Sequence, residues 1–172
     1  METKEIHILP GEKKMLEITE HDLENGSLAL LAHVAENASL RVNERITTDA
    51  PFSLRFTVLL EGEGASVVDT SRYRLRDDAR AAVDRTVVHR APRTISEVDA
   101  RGVLGDTARA IWRGRIVVEP QAARAHAFQR HDAVLTSKRA FIDAAPFLEI
   151  HTHDVICKHS ASVRRIKPEH IF

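Results

Sequence analysis

The segment Arg109–Val118 alternates, residue by residue, between two kinds of side chain. Ala110, Trp112, Gly114, Ile116 and Val118 fall on one face. Arg109, Arg113 and Arg115 fall on the other, with Ile111 and Val117 as exceptions. A strand repeats every two residues and separates the sides in this way, whereas a helix repeats every 3.6 and mixes them. The pattern predicts a strand with Trp112 on its buried face. Ser53–Leu60 and Phe147–His151 are strand-like on the same grounds. Asp77–Val88 reads both ways: its Ala, Arg and Asp content suits a helix, while Arg85-Thr-Val-Val-His89 suits a strand. The clearest helix signal is at the end of the chain, where Pro168 suits a first helical turn.

A small-residue motif recurs at expected strand entrances: Asn37-Ala-Ser-Leu-Arg-Val42, Gly64-Ala-Ser-Val-Val68, Ser160-Ala-Ser-Val-Arg164 and, more loosely, Arg139-Ala-Phe-Ile142. Gly62-Glu-Gly64 reads as a turn. Aromatic residues make up only 5% of the chain, and Trp112 and Tyr73 are the sole Trp and Tyr. Small and β-branched side chains must therefore fill the core. Short strands entered through Ala behind a turn suit a β-solenoid, whose corners need small residues. They suit a β-sandwich equally, so the pattern leaves both open. With no linker-like stretch, residues 1–172 read as a single domain.

Lys and Arg together number 25, as do Asp and Glu, so the formal net charge is zero. Non-specific binding to nucleic acid or an anionic membrane needs a cationic surplus. The charged start Met1-Glu-Thr-Lys-Glu-Ile-His7 precedes no apolar stretch of a targeting signal, and no apolar run reaches membrane-spanning length. The expected location is the cytoplasm. A single cysteine, Cys157, excludes an intramolecular disulfide and any four-cysteine metal site within one chain.

The densest concentration of chemically capable side chains is His151-Thr-His-Asp-Val-Ile-Cys-Lys-His159. His151, His153, Cys157 and His159 share odd parity and so share one face of an extended strand. Imidazole and thiolate at short spacing suit zinc, iron or copper, although these pairs match no standard zinc spacing. A protonated imidazole beside Cys157 would lower the thiol pKa. Against these functional readings, Cys157 also suits a small buried hydrophobe with the histidines at exposed corners. Glu149 alternates with Leu148 and Ile150 and should face water. Asp143 and Glu149 form a poor glycosidase pair in a chain so poor in aromatic sugar platforms. His126 and His131 have no evident partner. The nucleophile-elbow, phosphate-loop and dinucleotide fingerprints are absent.

Six fragments, in order over roughly Val87–Phe172, resemble the SufB/SufD family of iron–sulfur cluster assembly proteins, SufD more than SufB. Val88-His89-Arg-Ala-Pro92-Arg-Thr94-Ile-Ser96 resembles H-x-x-P-x-T-x-S. Gly102-Val-Leu104 with Ala110-Ile-Trp112-Arg-Gly114-Arg-Ile116-Val-Val118 resembles K-G-V-L and A-x-F-x-G-x-I-x-V. Val134-Leu-Thr-Ser137 stands for L-L-L-S, and Pro146-Phe-Leu148-Glu149-Ile150 for P-x-L-E-I. Asp154-Val155-Ile-Cys157-Lys-His159-Ser-Ala161-Ser-Val163 resembles D-V-x-C-S-H-G-A-T-V.

The resemblance implies an all-β fold, a right-handed parallel β-helix, and a non-catalytic scaffold on which a transient iron–sulfur cluster forms. It implies a homodimer or a heterodimer with a SufB-like protein, working with a SufC-like ATPase. The implied ligands are Cys157 and His159, with His151 and His153 as alternatives. A structural homo-oligomer without a cluster, or a metal enzyme built on His151, His153 and His159, are the competing readings. The family's Gly and Thr after the signature histidine are Ser160 and Ser162 here, so that corner is expected to be reshaped. Where SufB-type chains carry a functional cysteine, this sequence has Ala140. The sequence stops at Phe172, where the family's ATPase-docking helical segment would start.

Overall fold

The computed structural model describes residues 2–166. The expected helix start at Pro168 lies outside them. Twelve strands alternate between two six-stranded sheets. One sheet holds β1 (Thr3–Ile8), β3 (Ser27–Val34), β5 (Phe52–Leu60), β7 (Arg80–His89), β9 (Arg109–Val118) and β11 (Phe141–Ile150). The other holds β2 (Lys13–Thr19), β4 (Ser39–Thr48), β6 (Ser66–Leu75), β8 (Ile95–Leu104), β10 (Ala125–Leu135) and β12 (Val155–Arg165). Every ladder between named strands is parallel, which excludes the antiparallel sandwich. The chain crosses from sheet to sheet and back about six times, making a β-solenoid. Each coil takes 26 residues at the start (Thr3 beside Ala29) and 32 near the end (Arg109 beside Phe141).

The corners follow a local rule. Asn37, Gly64, Arg93 and Arg124 have φ of 53°, 69°, 56° and 60°, and each precedes a strand of the second sheet. This left-handed conformation turns the chain sharply and is tolerated best by Gly and Asn. The next residue drops into the corner interior: Ala38, Ala65, Thr94 and Ala125, all buried. On the opposite corner Ala79, Ala108 and Ala140 do the same. Gly62 and Gly64 form the expected turn. A Cβ on Gly62 would lie 2.0 Å from the Glu36 amide nitrogen, so adjacent coils touch there through backbone alone. The Ser160 copy of the motif is not an entrance, because Ser160 and Ala161 lie in the middle of β12.

The alternation in Arg109–Val118 is realised as β9. Trp112 is 1% exposed while Ile111 is 49% exposed. Burying one large apolar side chain of this kind contributes roughly 1.5–3 kcal/mol. The ambiguous Asp77–Val88 resolves into a turn followed by β7, whose inward row is Ala81, Val83, Arg85 and Val87. Arg85 is the exception to the rule that arginines face water. Its guanidinium meets Glu44 and Asp69, and Ser71 donates to Glu44 at 2.7 Å, all inside the solenoid. Burial pushes Asp69 up to about 7 and Arg85 down to about 10.

Two histidines are also interior. His89 meets Thr94 Oγ1 through Nδ1 and Ser96 Oγ through Nε2, each at 2.8 Å. The H-x-x-P-x-T-x-S fragment is thus a hydrogen-bonded corner, with Thr94 replacing the usual corner alanine. His131, which lacked an evident partner in the sequence, lies 2.7 Å from Tyr73 Oη, and its ring centroid is 4.5 Å from that of Trp112. His126, in contrast, is exposed.

Candidate functional site

The last coil is where the sequence-predicted ligands lie. β12 pairs with β10 along one edge, and β11 pairs with β9 along one edge. Among the described residues, their other edges carry no strand. Pro146, which has no N–H to donate, occurs on such an edge strand, as expected.

Odd positions of β12 face inward because they stack on the inward row of β10: Val155 on Ala125, Cys157 on Ala127, His159 on Gln129 and Val163 on Ala133. The parity argument for Cys157 and His159 therefore holds: they share a face, about 7 Å apart along the strand. Their surroundings differ. Cys157 is half-buried and packs beside Ile116, Val118, Ala122, Ala125 and Ala127. Burial raises its thiol pKa, with a backbone hydrogen bond to Ala127 acting in the opposite direction. Desolvation is the larger of the two effects, and no imidazole contributes to it. His159 is exposed, and β12 at that point borders an open groove of about 570 Å³ that runs over β8, β10 and β12, lined by Glu97, Asp99, Phe128, Arg130 and Lys158 among others.

His151 and His153 lie between β11 and β12, both exposed. His151 Nε2 is 2.9 Å from Glu149 Oε1. Among the described residues, no set of three converging donors includes His151, His153, Cys157 or His159. The chain reversal into β12 separates residues that sequence adjacency had grouped.

Asp143 and Glu149 both face outward and are exposed. Asp143 accepts from Arg113 at 2.5 Å, and Glu149 is engaged by His151. Six strand positions put them about 20 Å apart, well beyond the separation of a glycosidase pair. Ala140 is buried at its corner. Ser162 donates to Asp132 Oδ1 at 2.6 Å, while Ser160 is an exposed mid-strand residue, so the two departures from the signature sit on a straight strand rather than at a corner.

The comparisons with known proteins agree with this geometry. Residues 27–172 match the family described as "SUF system FeS cluster assembly, SufBD core domain". The chain is 37% identical over 70 residues to the iron-sulfur cluster assembly protein SufD of Escherichia coli, covering 41% of the chain and 16% of that protein. It is 24% identical over 112 residues to the iron-sulfur cluster assembly SufBD family protein ycf24 of Galdieria sulphuraria, covering 65% of the chain and 48% of that protein. It is 31% identical over 86 residues to SufD of Bacillus subtilis, covering 50% of the chain and 20% of that protein. The matches thus span at most about half the length of these relatives. A parallel solenoid, a signature strand on its last described coil and a family match over residues 27–172 together establish that this chain belongs to the SufBD core domain family of the SUF iron–sulfur assembly system.

Proposed function

We propose that this chain is a non-catalytic cytoplasmic scaffold subunit for iron–sulfur cluster assembly, with Cys157 and His159 as its ligands to the cluster it carries. One observation carries the reading: the two side chains are neighbours on one face of the edge strand β12. A soft thiolate and a borderline imidazole suit iron–sulfur species. One chain offers too few sulfurs for a cluster, so the remaining ligands come from a second protein, a SufB-like chain or another copy. The exposed apolar side chains of β11 and β12 favour such a partner. Phe147, Ile150, Ile156 and Val163 are 49%, 41%, 49% and 47% exposed there, beside two strand edges that can extend a sheet. A SufC-like ATPase supplies the energy for assembly.

The test is anaerobic reconstitution with iron and sulfide, beside thermal melts, on wild type and Cys157→Ser. Loss of iron and sulfide uptake with an unchanged melting temperature supports the ligand role. Equal uptake by both proteins removes it. Sedimentation of the full chain alone and with a SufB-like partner tests assembly: a monomer at micromolar concentration under both conditions contradicts it.

A further inference from the structure

The opposite end of the solenoid carries a separate set of donors. His7 on β1 and His33 on β3 are register partners. Their side chains leave the outer face of one sheet a single strand spacing apart. The rings stack with centroids 4.7 Å apart and 12° between their planes. Glu5 precedes His7 by two positions and shares its face, with Oε2 3.7 Å from His7 Nε2. One donor atom from each of Glu5, His7 and His33 lies within 4.8 Å of the other two. Among the described residues this is the only convergence of three such donors. Glu5 and His7 are exposed and His33 is half-buried, so core packing does not explain the grouping.

A second observation points to a ligand. Glu61, just past β5 on the next coil, has Oε2 3.2 Å from His33 Nδ1. Arg90 holds that carboxylate by donating to Oε1 at 3.1 Å, and Arg90 Nε also lies 3.4 Å from Glu119. A carboxylate that accepts from Nδ1–H selects the imidazole tautomer whose Nε2 carries the free lone pair. Metal-ligating histidines are commonly oriented in this way. The surrounding charges are three carboxylates (Glu5, Glu61 and Glu119) against one guanidinium, which favours a cation.

The geometry points to a Zn²⁺ site on the outer face of the first two coils, ligated by His7, His33 and Glu5, with water in the fourth position and Glu61 orienting His33. Two imidazoles and a carboxylate suit zinc better than the hard cations, which prefer all-oxygen shells. Bonds of about 2.0–2.2 Å require the donors to close by about 1–1.5 Å, through rotation of accessible side chains. Bound metal would clip the edge strand β1 to β3. The site lies at the far end of its sheet from β11, and Glu5 and His7 precede the family match, so it is independent of the cluster reading.

The experiment is calorimetric titration of the full chain with Zn²⁺ alone, in a Cys157→Ser background that removes the thiol as a competing ligand. One Zn²⁺ per chain is expected, with a rise in melting temperature because the metal binds the folded state. Glu5→Gln, His7→Ala and His33→Gln should each weaken binding at least about 10-fold, and Glu61→Gln about 10-fold through loss of the orienting contact. His151→Ala/His153→Ala should leave the affinity unchanged. No binding at about 100-fold excess of metal over protein, or an affinity insensitive to both His7→Ala and Glu5→Gln, overturns the site. Glu5→Gln leaves the ring stack intact, so the result does not rest on one variant. Visible absorption of the Co²⁺-substituted protein gives an independent readout: a tetrahedral spectrum supports the site and an octahedral one contradicts it.

Discussion

Tyr73 Oη and His131 Nε2 meet at 2.7 Å inside the solenoid, although 58 residues separate them in the chain. One strand of the second sheet, β8, lies between those positions, and it makes room by placing Gly102 beside Tyr73. A Cβ on Gly102 would lie 2.1 Å from Tyr73 Cζ. Trp112 in the facing sheet closes over His131, and a Cβ on Gly114 would lie 2.3 Å from Trp112 Cη2. The few large side chains of an aromatic-poor protein thus occupy spaces that glycine leaves. This arrangement leads to the first of four predictions.

Gly102→Ala should destabilise the fold by about 1–3 kcal/mol or more, because the added methyl has only the Tyr73 ring to displace. Tyr73→Leu in the same chain should recover part of that loss, as coupled neighbours are non-additive. Urea melts of the two single variants and the double variant measure the coupling. Strict additivity would show that the glycine is not there for the tyrosine.

Removing Arg85 should be costly. At neutral pH Arg85→Met leaves the Glu44 carboxylate, and Asp69 to the extent that it is ionised, buried without their cation, a loss of about 3–5 kcal/mol. Replacing all three with apolar residues of similar volume should restore much of it, since the desolvation penalty disappears along with the charges. A triple variant as unstable as Arg85→Met counts against this account.

Stability should fall on mild acidification. Burial lowers His89 and His131 to about 4, against 6.5 for a free imidazole. Between pH 6.5 and 4 the unfolded chain therefore binds two more imidazole protons than the folded one, which lowers stability as pH drops. Asp69 acts in the opposite sense: raised to about 7 from 3.8, it holds a proton in the folded state that the unfolded chain has released. Two imidazoles oppose one carboxyl, so the imidazoles set the sign and stability falls as the pH drops through that window. Asp69→Asn should steepen the slope, because it removes the opposing group. Denaturant titrations at several pH values check it, and a flat profile would falsify the assignment of neutral interior histidines.

The Cys157 thiol should alkylate slowly at neutral pH. Burial raises its pKa, so little thiolate is present. The rate of reaction with iodoacetamide should climb until well above pH ~8.5, the range of an unperturbed thiol. Ile156→Asp, which changes only the outward face of β12, should not alter that profile. Rapid alkylation at pH 7 would mean that the thiol lies in an activating environment rather than among Val118, Ala122 and Ala127.

Period-two patterning made β9 legible, because each inward side chain from Ala110 to Val118 is small or apolar and three of the outward ones are arginine. The parity of Cys157 and His159 was legible for the same reason: alternation is a property of one strand and needs no partner. Their family fragments also pointed to the parallel solenoid, which periodicity alone did not distinguish from a sandwich. The sequence could not announce which residues meet across coils. A coil here takes between 26 and 32 residues, so no fixed spacing marks the pairs. Arg85 opened a stretch that suited a strand, but nothing near it in the sequence marked it as buried; the coils brought Glu44 and Asp69 around it. His131 looked isolated because its partner is 58 residues away. His7 and His33 are one coil apart, a relation that exists only once the first coil closes. Local chain stereochemistry decides strand and face. Which polar groups are buried together, and hence which are neutral, paired or ready to bind a metal, is decided by how the coils stack.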